Sequence, residues 1–260
     1  MIINDSLSFV IPVYLKTEND KTALFETIRK ILNISTDVVV ISQGIKPHFS
    51  SNKIKHYHSN PALGKWKAVS FAKRFKLNDL VFIHDGDNPF KEGSYKEILE
   101  IKENSFIQRD KIVLYAQDGL SKESRKYIEL FLNKYINKTQ EGTCADVQSG
   151  GIILKRAIFQ ELNFNAFGDY GGELAVYRHL TKHNISINTI NMEVEVGECR
   201  ERSNYTIEKI LRSIIYMPLS ESMVLDILQL CTQDCGYYIS SNVQFESEVL
   251  YFLNKYKMII

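Results

Sequence analysis

The chain has 260 residues, 44% of them hydrophobic and 24% charged, which is enough for one large α/β domain or for one domain with a helical appendage. Its 32 basic and 31 acidic residues leave a net charge of +1, so charge gives no case for a nucleic-acid-binding protein. No basic region precedes a long apolar core at the N-terminus, and no window approaches about 18 uninterrupted apolar residues, so we expect neither secretion nor membrane spanning.

Strands and helices alternate through the first ninety residues. The first strand is predicted at Ser6 to Ile11, and we expect it to end at Pro12 because proline cannot donate within a central ladder. The next elements are a helix at about Asn19 to Leu32, strands at Asp37 to Ser42 and Ile54 to His58, a helix at Lys65 to Phe75 and a strand at Leu80 to His84. This alternation predicts an α/β fold with a mostly parallel sheet, helices on both faces, and ligands beyond the carboxyl ends of the strands.

The second half continues the pattern and then becomes helical. We predict a strand at Ile112 to Tyr115, a helix at about Ser121 to Asn137, a strand at Gly151 to Leu154, a helix at about Glu173 to His183, and helical structure after Tyr205. The last twelve residues, Val249 to Ile260, are both apolar and basic. They are open to three uses: covering the core, which we expect, forming a homodimer, or contacting a membrane surface.

The cysteines give no sign of an oxidising environment. Four cysteines are too few for a disulfide framework in a chain of this length: Cys144, Cys199, Cys231 and Cys235. We expect them to be reduced and structural. The predicted location is therefore cytoplasmic, with peripheral membrane attachment through the C-terminal part as the alternative.

Two carboxylates follow the apolar strand Leu80 to His84. Asp85 and Asp87 flank Gly86, and alternation along an extended chain points both acids the same way. Such oxygen ligands suit Mg²⁺ or Mn²⁺ better than Zn²⁺, and a metal of this kind typically carries a diphosphate. An ordinary turn is the alternative, since Asp, Gly and Asn are also common turn residues.

Three motifs in order now matter: Phe9-Val10-Ile11-Pro12-Val13-Tyr14, then Asn60 to Ala68 with its Gly64-Lys65 pair, then Asp85-Gly86-Asp87. Together they resemble the nucleotide-sugar glycosyltransferases of the GT-A fold, in a family-2-like form. More loosely, Gln148 to Gly151 and Phe167 to Glu173 are similar to later segments of that family, the second to an aromatic-G-G-E segment before the acceptor-site helix.

The resemblance covers about Leu7 to Arg202 and implies a GT-A (Rossmann-like) fold. The catalytic domain would span residues 1–204, with a nucleotide-binding half at 1–90 and an acceptor half at 91–204. A helical C-terminal segment, 205–260, would follow it.

The resemblance also implies roles for individual residues. Mg²⁺ or Mn²⁺ is expected at Asp85 and Asp87. Glu201 is a candidate third ligand, because segment 196–202 lacks the histidine that related transferases often supply there; a surface charge is the alternative for Glu201. Donor binding is expected from Pro12, Tyr14, Gln43, Gly64, Lys65, Asp85, Gln148, Ser149 and Arg202.

Glu173 and Asp169 are the catalytic candidates. In an inverting enzyme a carboxylate at this place removes the acceptor hydroxyl proton, and in a retaining one it orients the acceptor or sugar. The alternative is an acid that stabilises the helix N-terminus. The family often has further acids after this glutamate, whereas Leu174 and Ala175 follow here, which leaves the position of a base open.

Several neighbours have simpler expected roles. Gly64 and Lys65 place free amides and a cation at a helix start, which favours an anion such as a diphosphate. Gln43 offers a donor and an acceptor to a nucleobase. His84 is expected on the face opposite the acids, the other histidines lack metal-ligand spacing with partners, and Trp66 is more typical of packing than of ligand stacking.

The predicted function is metal-assisted transfer of a sugar from a UDP- or GDP-linked donor to a hydroxyl of a glycan or small acceptor, without nucleic acid. Two alternatives stay open. A nucleotidyltransferase would make nucleotide sugars, although its G-x-G-T-R-type loop is absent after the first strand. A non-catalytic protein of the same fold would only bind a nucleotide sugar or glycan.

Overall fold

The computed structural model describes residues 5–87, 90–109, 149–167 and 172–194. The predicted strand at Ile112 to Tyr115, the predicted helix at Ser121 to Asn137, the C-terminal segment 205–260 and all four cysteines lie outside these residues.

The described chain forms one seven-stranded sheet with four α-helices and short 3₁₀ turns. The strands are β1 (Leu7–Leu15), β2 (Asp37–Gly44), β3 (Ile54–Ser59), β4 (Leu80–His84), β5 (Ser105–Arg109), β6 (Gly151–Lys155) and β7 (Asn188–Met192). The α-helices are α1 (Glu18–Ile31), α2 (Lys65–Phe71), α3 (Arg156–Glu161) and α4 (Gly172–Lys182). The 3₁₀ turns are Ala72–Arg74, Glu92–Ile98 and Phe164–Ala166.

The strand order is β3-β2-β1-β4-β6-β5-β7, and the sheet is mostly parallel as predicted. β3, β2, β1 and β4 run parallel, while β6 is antiparallel to both of its neighbours. The connection β1-α1-β2 moves toward one edge and β3-α2-β4 returns across the sheet. Because such crossovers are right-handed, α1 and α2 lie on opposite faces, and the predicted two-sided cover is confirmed.

A hydrophobic core cluster lies on the α1 face. Leu24 and Ile28 of α1 pack there with Phe9 and Phe82 of the central strands. The helix begins cleanly because Thr17 and Asp20 form a reciprocal capping box. α2 instead buries Trp66 and Val69, which are not members of this cluster, on the other face. Within the described residues no helix is long and apolar enough to cross a membrane.

The predicted end of the first strand at Pro12 is wrong, because β1 continues to Leu15. β4 pairs with β1 only as far as Val10, whereas β2 pairs with β1 up to Leu15. Beyond Val10 the β4 side of β1 therefore has edge character, where the missing N–H of proline is tolerated.

Other boundaries also differ from the prediction. The helix expected at Lys65 to Phe75 ends at Phe71 and tightens into the turn Ala72–Arg74. β5, β7, α3 and the turn Glu92–Ile98 were not predicted. β5 and β7 are short and half polar, so their periodicity is weak.

Candidate active site

A lysine joins two acids at the carboxyl edge of the sheet. Lys65, the first residue of α2, has its Nζ 2.8 Å from Oδ1 of Asp85 and 2.6 Å from Oε1 of Glu173. Asp85 follows β4 and Glu173 stands in the first turn of α4, so three separate elements meet at one ammonium group. The structure thus brings together one predicted donor-binding residue, one predicted metal ligand and one predicted catalytic residue.

The Lys65 ammonium is held in its charged form. Its side chain is 23% exposed. Burial on its own lowers the pKa of Lys65, but the charges of Asp85 and Glu173 and the hydrogen bonds to them outweigh burial, so that the pKa lies above its ordinary value. A permanent positive charge therefore lies between the two carboxylates.

Two glycines shape the surroundings of Asp85. Gly150 has φ +80° and accepts a hydrogen bond of 3.1 Å from the Asp85 amide, and a Cβ there would overlap the Asp85 carboxylate. Gly86 is buried, and a Cβ there would come within 2.9 Å of the Val13 side chain. A side chain at either position would therefore crowd the turn after β4, in which Asp85 and Asp87 are partly exposed and Gly86 is buried.

Gln43, at the end of β2, holds the loop before α2. Its Oε1 accepts N–H donors from Leu63 at 2.5 Å and from Gly64 at 3.0 Å. Two amides of this loop are thus already used by a side chain, and one of them, the Gly64 amide, was expected to be free for an anion. Gln43 is 2% exposed, and its acceptor oxygen supports the start of α2.

Trp66 is confirmed as a packing residue and supports the other side of the site. It is 1% exposed and stacks on Phe164 with ring centroids 5.8 Å apart. A Cβ at Gly172 would overlap its indole ring. Gly172 is therefore required where α4 starts against Trp66, and this contact sets the position of Glu173 relative to Lys65.

His84 lies on the α1 face, opposite the side on which Asp85 meets Lys65 of α2, and the predicted placement opposite the acids agrees with this. Its ring stacks on Tyr95, and its two nitrogens lie 2.6 Å from the Asp85 carbonyl oxygen and 2.8 Å from the Tyr95 hydroxyl. Burial lowers the pKa of His84 to about 4. The ring is therefore neutral near pH 7 and acts as a buried hydrogen-bonding group.

The remaining predicted donor residues have different environments. Tyr14 is 52% exposed at the end of β1 and lies opposite Gln43 in the ladder. Pro12 is buried within β1, and Ser149 is buried just before β6. Four further predicted residues lie outside the described part of the chain: Gln148, Asp169, Glu201 and Arg202.

The carboxylates present fit a hard divalent cation in kind, because Asp85 and Asp87 offer oxygen ligands at a strand end. In the described segments no group of three or more His, Cys, Asp or Glu could by itself hold a metal ion. A metal here would therefore need ligands beyond these two acids, such as donor phosphates or water.

The sequence did not reveal the contact between Lys65 and Glu173 or the close approach of Gly150 to Asp85. The first joins residues 108 positions apart. The Gly150-Gly151 pair was the one local signal for the second, because consecutive glycines before a strand are typical of close backbone approach.

Sequence comparison alone finds no matching family model and no matching curated protein. Solved structures, however, share the fold. Glucosyl-3-phosphoglycerate synthase from Mycobacterium tuberculosis in complex with UDP superposes with a TM-score of 0.55 at 14% identity, over 87% of this chain and 80% of that chain.

Two further structures of that synthase agree. The complex with Mn²⁺, UDP-glucose and phosphoglyceric acid gives a TM-score of 0.56 at 13% identity, over 87% of this chain and 80% of the other. The complex with Mn²⁺, UDP and phosphoglyceric acid gives a TM-score of 0.56 at 12% identity, over 82% of this chain and 77% of the other. The chain therefore has the GT-A fold that its sequence motifs predicted, the fold that it shares with this mycobacterial synthase.

Proposed function

We propose that this protein is a glycosyltransferase that moves a sugar from a nucleoside diphosphate sugar to an acceptor hydroxyl with the assistance of a divalent metal. The observation that carries the proposal is the Lys65 ammonium between Asp85 and Glu173 at the carboxyl edge of a GT-A sheet. Ligands of open α/β sheets bind at this edge.

The charge pattern suits the departing group of such a reaction. Negative charge grows on the diphosphate as the glycosidic bond breaks, so a fixed cation near it stabilises the transition state more than the ground state. Lys65 supplies a cation that stays protonated at every pH of ordinary use. When a donor and a metal bind, the Lys65 ammonium would pair with the diphosphate instead of with Asp85.

Asp85 and Asp87 are the residues that would hold Mg²⁺ or Mn²⁺, with Asp87 as the direct ligand. When bound, such an ion acts as a Lewis acid on the diphosphate. The neighbouring synthase was crystallised with Mn²⁺, which makes manganese the first metal to test. Glu201 stays a candidate further ligand.

Glu173 faces the acceptor side in this proposal. Its Oε1 accepts from Lys65, and among the described residues no hydrogen bond reaches its Oε2. Oε2 is therefore the atom that would accept the acceptor hydroxyl proton or hold the acceptor by a hydrogen bond. Replacing Glu173 by Gln separates these roles, because a base is lost in that variant while an orienting contact largely survives.

The fold neighbours suggest which substrates to try first. They bind UDP-glucose and phosphoglyceric acid. We therefore propose a UDP-linked sugar as donor and a small hydroxylated acceptor, with phosphorylated hydroxy acids tested before glycans.

The proposal is tested by measuring UDP or GDP release from a panel of nucleotide sugars with Mn²⁺, with and without acceptors. Acceptor-dependent release, with the sugar recovered on the acceptor, supports the proposal. Release of pyrophosphate from a sugar phosphate and a nucleoside triphosphate would favour the nucleotidyltransferase. A donor that raises the melting temperature but is never turned over would favour the non-catalytic binding protein.

A further inference from the structure

The segment that carries the two acids is held from its buried side. His84 reaches the carbonyl oxygen of Asp85 at 2.6 Å, and Nζ of Lys30 in α1 donates to the carbonyl oxygen of Phe90 at 2.9 Å. Both side chains approach from the α1 face, so the two ends of the stretch from Asp85 to Phe90 are each bound by a buried donor.

The geometry assigns the proton on His84. A carbonyl oxygen can only accept, so Nδ1 of His84 carries the hydrogen that goes to Asp85. Nε2 of the neutral ring then accepts from the hydroxyl of Tyr95, which is 1% exposed. Tyr95 thus fixes both the tautomer and the rotation of the ring that holds the Asp85 carbonyl.

Lys30 is unusual because it is only 5% exposed. Removing an ammonium group from water is unfavourable unless hydrogen bonds or opposite charges compensate for the lost hydration. A methionine could occupy a similar volume without the cost of desolvating a charge. We therefore expect the hydrogen bond from Lys30 to Phe90 to hold the backbone in a position that apolar packing alone would not hold.

We propose that Lys30, His84 and Tyr95 form a carbonyl brace that positions Asp85 and Asp87 for the metal and diphosphate of the donor. The brace acts through the backbone and touches no substrate. It rests on the function proposed above, and it adds three positioning residues on the face of the sheet opposite Lys65. Loss of a group that orients metal ligands typically weakens metal binding by about 10- to 100-fold.

The test uses the full chain with the substitutions Lys30→Met and Tyr95→Phe. The first removes the hydrogen bond to Phe90 and keeps an unbranched side chain that is one heavy atom shorter, and the second keeps the ring and removes only its hydroxyl. Lys73→Met is the matched control, because Lys73 also donates to two carbonyl oxygens, those of Gln160 and Leu162, but away from the acids.

Two readouts separate the brace from general stability. Amide hydrogen exchange reports on residues 85–91, and electron paramagnetic resonance reports the affinity for Mn²⁺ in the presence of UDP. We expect faster exchange in this segment and roughly 10-fold weaker Mn²⁺ binding for Lys30→Met, with a smaller effect for Tyr95→Phe. Lys73→Met should change neither.

Unchanged exchange and unchanged Mn²⁺ affinity in both variants would overturn the brace, as would equal effects in Lys73→Met. If Lys30→Met does not fold, Tyr95→Phe alone decides on the same two readouts. A third outcome is that wild type does not bind Mn²⁺ in the presence of UDP while amide exchange is still faster in the variants. This result would overturn the proposed function and leave the structural role of the brace standing.

Discussion

Nζ of Lys65 lies 2.6 Å from Oε1 of Glu173, although the two residues are 108 positions apart in the chain. The same ammonium group pairs with Asp85, so it connects the side of the site expected to hold the donor with the side expected to hold the acceptor. One ammonium group from α2 therefore links a carboxylate from α4 with a carboxylate at the end of β4.

Lys65→Met should reduce kcat/KM for a nucleotide sugar by about 100-fold, the scale seen when one preorganised group at a developing negative charge is removed. The variant also leaves Asp85 and Glu173 close together without a shared cation. Steady-state kinetics of UDP release measures the loss.

Lys55→Met is the control for this substitution. Lys55 also pairs with an acid, Asp37, at 2.5 Å, but it lies on β3 away from the site. Activity near the wild-type level is expected for Lys55→Met. Equal losses in both variants would mean that Lys65 matters only for folding.

Gly150→Ala should disturb the site through Asp85. The substitution forces an L side chain into φ +80°, which costs about 1–2 kcal/mol, and pushes the new methyl group into the Asp85 carboxylate. A misplacement of about 1 Å at a reacting centre can cost on the order of 100-fold in rate, so turnover should fall by more than stability alone explains. Chemical denaturation and kinetics together measure both effects.

Gly93→Ala serves as the glycine control, because nothing lies within 4 Å of the Cβ that it would add. Its unfolding free energy should stay within about 0.5 kcal/mol of wild type. Wild-type kinetics in Gly150→Ala would show that the position of the Asp85 carboxylate is not set by Gly150.

Gln43→Met should destabilise the loop before α2. The substitution leaves the partly buried amides of Leu63 and Gly64 without the oxygen that accepts from them, at a cost of about 0.5–1.5 kcal/mol for each hydrogen bond lost. Gln108→Met, on the half-exposed end of β5, is the matched change of the same side-chain type. Urea unfolding of both variants is the measurement, and equal midpoints would contradict the role given to Gln43.

Stability should fall in acid partly through His56. Burial, then the neighbouring charges of His58, Lys46 and His48, lower the pKa of His56 in the folded protein below 6.5. Near and below pH 6.5 the unfolded chain therefore binds a proton at His56 more readily than the folded chain does. The resulting loss of folding stability sets in as the pH falls through about 6.5 and is absent above it.

The measurement is the melting temperature of wild type and His56→Gln between pH 8 and pH 5. The difference between the two proteins should shift in favour of the variant as the pH falls. A constant difference over this range would contradict the assignment.

Much of the fold could be predicted because the spacing of apolar residues along the chain reflects which side of each helix or strand is buried. β4 was predicted with its observed bounds, since Leu80 to His84 is a short apolar run with a turn on its far side. The antiparallel direction of β6 could not be predicted in this way, because a buried strand has the same pattern in either direction.

The site was predictable as residue types and not as contacts. Asp85, Lys65 and Glu173 each stand at the end or start of an element, where the sequence motifs pointed to them. Their meeting depends on how α4 seats against Trp66 at Gly172, and such long-range packing has no local sequence signal. Gln43 was predicted to contact the donor, but its side-chain oxygen accepts a hydrogen bond from the Gly64 amide of the protein itself.

Whether sugar transfer depends on the acids after β4 is tested by the rate of acceptor-dependent UDP release at saturating Mn²⁺ for wild type and Asp87→Asn. We expect measurable turnover in wild type and a loss of about 100-fold or more in the variant, with an unchanged melting temperature. Equal turnover in the two proteins would contradict this expectation, because the chemistry would then not depend on the acids that follow β4.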